Sequence, residues 1–160
     1  MIYKKVVIIY SLLIYIIFHS FSFAEDIKFN GLIISDFWIK ESIGNSSTTS
    51  GYITIKNNNE FDDYLVEIKS NISNKSEVHQ MIVENDIMKM KSLVGGIKVK
   101  AKSIIYLKPG ANHIMFMKLQ KKIKLNSVHQ VNLVFQKAGK LILNMPVHKT
   151  SFVVKNHKHK

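Results

Sequence analysis

Three runs decide the reading of this chain: Ser76-Glu-Val-His-Gln-Met-Ile-Val83, Ile87-Met-Lys-Met-Lys-Ser-Leu93 and Asn112-His-Ile-Met-Phe-Met-Lys-Leu119. In each, His or Met recurs at every second position: His79 and Met81, then Met88 and Met90, then His113, Met115 and Met117. A β-strand sends successive side chains to opposite faces, so each run presents its His and Met on one face. Glu84-Asn85-Asp86 is a turn signal, which makes the first two runs a hairpin. Lys108-Pro109-Gly110 ends a strand at Ser103 to Leu107 and feeds the third run, which puts His113 where a turn enters a strand, near a rim.

The same period of two continues on either side. Ile27 to Asp36 reads as a first strand, with Asn30-Gly31 a kink or turn, and Trp38 beside Ile39 as a core anchor. Lys40 to Ser50 is a polar loop, and Gly51-Tyr-Ile-Thr-Ile-Lys56 alternates strictly as a strand. Asn57 to Glu60 is a turn signal, with Asp62-Asp63 just beyond it. Tyr64 to Ser70 is the next strand, and Asn71 to Lys75 a polar loop. Gly95-Gly96 breaks the chain before Ile97 and Val99 resume it. Val128 to Phe135 and Leu141 to Val147 flank a turn at Ala138-Gly139. No apolar period of 3.6 residues persists over three turns. The expectation is an all-β, single-domain antiparallel Greek-key sandwich or barrel of about eight or nine short strands.

Length and composition narrow the function. A chain of 160 residues with 46% hydrophobic content builds one domain with a real core. The formal charge is +12, and every basic residue is Lys. Without Arg there are no bidentate forks for phosphate or base edges, which argues against a nucleic-acid reader. The cysteine count of 0 excludes disulfides, CxxC redox motifs and thiolate zinc sites, and leaves nothing for an oxidising compartment to oxidise. Lys4 and Lys5, the apolar run Val6 to Phe18 and the small residues Ser22 and Ala24 have the form of a secretory signal peptide, so the expected location is the periplasm. An uncleaved membrane anchor is the alternative, because the apolar run approaches spanning length. The expected division is a signal peptide at 1–24, a domain at 25–150 and a basic, His-containing tail at 151–160.

Two His and five Met within the run from His79 to Met117 admit two explanations. Met fills irregular gaps in cores, and a single Met on a strand is more often packing than ligand. A buried neutral imidazole, however, needs partners for both nitrogens, and two such rings among thioethers at strand spacing favour a metal. Imidazole and thioether without thiolate suit Cu(I), and the neutral sulfur needs no deprotonation. Catalysis finds no support: HExxH is absent, no nucleophile–base pair stands out, and blue-copper chemistry wants a Cys. Asp62-Asp63, Glu84 and Asp86 read as solvated turn carboxylates. His148, His157 and His159 lie in a Lys-rich end where a weak Cu(II) site is an option.

The spacing resembles that of the periplasmic PCu(A)C copper chaperones, secreted proteins of cupredoxin-like fold. The family motif is a His, ten residues, a Met, twenty-one residues, then His-x-Met. Here ten residues separate His79 from Met90, twenty-two separate Met90 from His113, and Met115 closes the motif. The extra residue falls at Gly95-Gly96. Trp38, Gly51-Tyr-Ile-Thr-Ile with Asn57, the Asp62 to Leu65 region, Leu107-Lys-Pro-Gly110 and Ala138-Gly139 extend the match over about residues 27 to 147. The resemblance implies a monomeric carrier that is not an enzyme and binds one Cu(I) through His79, Met90, His113 and Met115. It also implies delivery toward the CuA centre of cytochrome c oxidase, alongside a Sco-type thiol protein. Met81, Met88 and Met117 are then auxiliary, with Met117 expected in packing. A copper-storage protein and a metal-free β-sandwich interaction module are the rival readings. In the latter, His and Met would be buried apart in separate core layers.

Overall fold

The computed structural model describes residues 26–84 and 87–149, without the side chains of Val83 and Met88. The signal segment at 1–24, the hairpin tip at Asn85-Asp86 and the tail at 151–160 lie outside the described residues. Among the described residues there are eleven strands and no helix. They are β1 (Ile27–Phe29), β2 (Leu32–Lys40), β3 (Thr48–Asn57), β4 (Asp63–Ser70), β5 (Ser73–Glu84) and β6 (Ile87–Ser92). β7 (Ile97–Val99), β8 (Ile104–Leu107), β9 (His113–Leu119), β10 (Val128–Phe135) and β11 (Gly139–His148) complete them.

The strands pair in the order β6-β5-β9-β3-β2-β11-β10-β4-β7, with β1 on β2 and β8 on β3. The strictly alternating run around Gly51 is the busiest strand. Antiparallel to β2 throughout, β3 exchanges β9 (Thr48 to Gly51) for β8 (Ile53 to Lys56) on its other side. Its inward residues Ile53 and Ile55 join Ile34, Ile39, Ile114 and Phe116 from one layer, and Leu65, Val131, Leu133 and Leu143 from the other, in one buried core. Gly51 is required there, because a Cβ would collide with the Phe116 ring. The all-β expectation holds. Pairing is antiparallel except at one seam, where Val147 and His148 of β11 run parallel to Ile39 and Lys40 of β2 and join the two layers.

Four local expectations are corrected. The first strand is two: Asn30 and Gly31 adopt φ of 44° and 81°, which closes a two-residue hairpin between β1 and β2. The polar run at Asn71 to Lys75 is mostly strand, because the fully buried Ile72 anchors the turn and β5 starts at Ser73. Trp38 is buried but does not face the core. A bulge between Ser35 and Trp38, with Asp36 at φ 50°, inserts one residue, so Ile39 points inward and Trp38 outward. There Trp38 packs on Tyr52 with ring centroids 4.4 Å apart.

The fourth correction concerns Asp63, which is not solvated: it is 0% exposed. Its Oδ1 accepts hydrogen bonds from the backbone N–H groups of Tyr64 (2.7 Å) and Lys137 (2.9 Å), and its Oδ2 from that of Ala138 (2.9 Å). This carboxylate pins the β10–β11 turn to the start of β4. Asp62 does sit at the surface, where Lys98 and the Ala101 N–H hold its carboxyl below the usual range.

Candidate metal centre

The hairpin β5–β6 and strand β9 build the site through their register. His79 is opposite His113 on β9 and opposite Ser92 on β6. Glu77 is opposite Met115, and Met81 is opposite Met90. The neighbouring residues Ile114 and Phe116 are fully buried in the core, so His113, Met115 and Met117 occupy the other face of β9. Directly opposed residues share a face, which places His79, Met81, Glu77 and Met90 there too. The Leu93 N–H donates to the Val78 carbonyl at 2.9 Å, which marks 78/93 as a hydrogen-bonded pair. Alternation then makes His79/Ser92 and Met81/Met90 the closer, non-hydrogen-bonded pairs, with Cα atoms about 4.5 Å apart.

The two imidazoles are near neighbours, with ring centroids 6.1 Å apart and planes inclined by 52°. His113 is only 7% exposed. Its Nδ1 lies 2.9 Å from the Ala111 carbonyl, which can only accept, so the proton is on Nδ1 and the lone pair on Nε2. His79 Nε2 is buried with no hydrogen bond closed, and stands 3.5 Å from Glu77 Oε2. Glu77 is tied to Lys75 at 2.7 Å and to Ser92 Oγ at 3.0 Å. Lys75 foremost, with Ser92 and His79, holds its carboxyl below the usual range against the opposing effect of burial. On β3, Ser50 is opposite Met115, and Tyr52 shares its face. Burial pushes the Tyr52 phenol up despite a hydrogen bond from Ser50, so it offers no phenolate at neutral pH.

The predicted residues are gathered unequally. His79, His113 and Met115 are cross-strand or diagonal neighbours, and Met81 flanks the pair at the other end. Met90 shares the face, but lies beyond Met81 on the edge strand and is 60% exposed. Four residues along the strands and two strand spacings separate it from Met115, roughly 16 Å between Cα positions. Met117 is four residues past His113, opposite Thr48 and Lys75, on the outer face and not in the core. Met88 pairs in register with Val83. His148 ends β11, with its ring 6.2 Å from Trp38 and burial holding its pKa below the ordinary imidazole value. Glu77 and Ser92 were missed, although parity in the strand already placed Glu77 on the face of His79. The single core methionine among the described residues is Met145.

The donors suit a soft ion. Among the described residues no group of three or more His, Cys, Asp or Glu side chains is arranged to hold a metal. Two imidazoles with thioethers on the same face match the donor preference of a soft ion better than that of a hard one.

Fold and site define a small all-β domain with an exposed-edge His/Met face. Residues 32–147 match the family described as "Putative lipoprotein LpqE-like", and the chain belongs to that family, the PCu(A)C family its motif resembles. The relative described as "Putative lipoprotein Lxx21020", from Leifsonia xyli subsp. xyli (strain CTCB07), is 25% identical over 129 residues, 81% of this chain and 76% of its own. In fold the chain is similar to the copper-bound PCuAC domain from PmoF2, with a TM-score of 0.66, 18% identity and coverage of 78% of this chain and 98% of that one. It is likewise similar to the solution structure of CuI-DR1885 from Deinococcus radiodurans, with a TM-score of 0.59, 18% identity and coverage of 79% and 82%.

Proposed function

We propose that this protein is an extracytoplasmic Cu(I) carrier, with one ion held by His79, Met90, His113 and Met115. The observation that carries the reading is the cross-strand pair His79–His113 with Met115 diagonal to it, on a face outside the core. Metal-free packing would bury these side chains apart in separate core layers, and the shared face of His79, His113 and Met115 supports the metal reading instead. Family membership and the copper named in the similar PmoF2 and DR1885 structures support it. On this reading the ion first meets His79, His113 and Met115. Met90, on the edge strand β6, completes the set by a movement of the β5–β6 hairpin toward β9. Met81 lies on the route between the two positions.

Neutral thioethers hold Cu(I) less firmly than a thiolate does, so release to a thiol acceptor runs downhill. That suits delivery toward the CuA centre of cytochrome c oxidase in company with a Sco-type thiol protein, and the periplasm as the place of work. The signal-like residues 1–24 and the lipoprotein description of the family agree with that location. The test is transfer. The Cu(I)-loaded protein, mixed anaerobically with the metal-free soluble CuA domain, should load it, as read by the acceptor's absorption after oxidation. Copper retained by the donor at equilibrium would contradict a delivery role and favour storage.

A further inference from the structure

Glu77 stands on the site face without belonging to the ligand set, and both of its oxygens are engaged. Oε1 pairs with Lys75 Nζ at 2.7 Å, and Oε2 accepts from Ser92 Oγ at 3.0 Å, so the carboxylate is held from two strands. His79 Nε2 is 3.5 Å from that same Oε2, buried, with no other partner. A neutral imidazole carries one N–H and one lone pair. A lone pair on Nε2 would face a negative oxygen and be repelled, whereas an N–H there is attracted. At 3.5 Å the contact is electrostatic and lies just beyond ordinary hydrogen-bond distance.

We propose that Glu77 is the positioning residue of His79: its carboxylate accepts the Nε2–H and leaves Nδ1 as the nitrogen that receives the cation. His113 is fixed the other way, because the Ala111 carbonyl accepts its Nδ1–H and leaves Nε2. The two imidazoles therefore meet the ion through different nitrogens. A carboxylate behind a ligating imidazole raises its basicity and fixes its ring, and here it also supplies a negative charge to a site whose other donors are neutral. The cation's identity rests on the copper reading above; the two tautomers are properties of the metal-free chain.

Long-range 1H–15N NMR of the imidazole nitrogens, at a pH where both rings are neutral, tests this in the secreted chain and in Glu77→Ala and Glu77→Gln. Wild type should show His79 as the Nε2–H form and His113 as the Nδ1–H form. Glu77→Gln, which keeps an accepting oxygen, should preserve the His79 form, and Glu77→Ala should mix the two. Titration with Ag(I), a redox-inert stand-in for Cu(I), should be about 10- to 100-fold weaker in Glu77→Ala. His79 in the Nδ1–H form in wild type overturns the proposal without recourse to any variant, and an unchanged form in Glu77→Ala overturns the role of Glu77. Predicted tautomers without Ag(I) binding would uphold Glu77 as the orienting group and refute the metal reading instead.

Discussion

Replacing Asp63 tests the architecture that carries the site. Its carboxylate is inaccessible to water and accepts three backbone hydrogen bonds, from Tyr64, Lys137 and Ala138. A hydrogen bond to a charged group contributes about 1.5–3 kcal/mol, and a buried donor left unpaired costs about 1–3 kcal/mol. Asp63→Ala removes all three acceptor contacts at once. At about 1.5 kcal/mol each, with some relief from water entering the vacated space, the loss is about 3–5 kcal/mol, a large part of the ~5–15 kcal/mol of a typical domain. Asp63→Asn keeps Oδ1 and its two bonds at neutral strength but turns an amide NH2 toward the Ala138 N–H, for a loss of about 2–3 kcal/mol. Equilibrium urea unfolding, followed by Trp38 fluorescence and far-UV circular dichroism, reads both. The order should be wild type, Asn, Ala, with unchanged m-values. Asp62→Ala, at the surface one residue away, should cost far less. A loss below about 1 kcal/mol in Asp63→Ala would refute the reasoning, because one buried and two part-buried N–H groups lose a charged acceptor together.

Other outcomes follow from single features. Gly96 sits at φ 88° with the Leu65 carbonyl where a Cβ would go, while Gly95 sits at φ 85° in open space. Gly95→Ala should therefore cost only the positive-φ penalty of about 1–2 kcal/mol, and Gly96→Ala clearly more, in the same unfolding assay; equal losses would contradict the close approach. Burial, aided by Lys121 at His129, holds the His129 and His148 imidazoles below their ordinary 6.5. The unfolded chain then takes up protons first as pH falls. Their contribution is complete above about 6.5 and is lost as pH falls from there through the lower folded-state value, so the urea midpoint should drop below about pH 6.5, and less so in His129→Gln. A slope of equal size in that variant would exclude His129. Met115→Leu should weaken Cu(I) binding at least about tenfold while Met117→Leu leaves it unchanged, because Met117 is opposite Thr48 and Lys75 and not beside either imidazole. Equal losses would move the site toward the far end of β9.

Which features could be read from the sequence depends on the range of the interaction behind each. Gly51 to Lys56 was legible because alternation is a local pattern and the strand keeps it. The pairing of β5 with β6 was legible too, since the turn after Glu84 sets Met81 against Met90. Trp38 was misplaced because one bulged residue at Asp36 inverts the parity of everything after it, and nothing in the alternation marks the bulge. Asp63 resembled its neighbour Asp62, yet two of its donors are Lys137 and Ala138, 74 and 75 residues away, which no local signal reports. The parallel seam between β2 and β11 is likewise a product of layer closure. Of the site, the shared face of the His and Met groups is a matter of parity. The distance from Met90 to Met115 depends on register across three strands, and emerged only in the folded chain.

The central claim is that a single soft ion is bound by the His/Met face. An anaerobic Cu(I) titration of residues 25–160 against a competing chromogenic chelator tests it most directly, with His113→Ala and Met90→Ala alongside. The account predicts one Cu(I) taken from the chelator per chain, with most of that affinity lost in both variants. Failure of the wild-type chain to compete would contradict it, and the His and Met side chains of β5, β6 and β9 would then be surface and packing residues only.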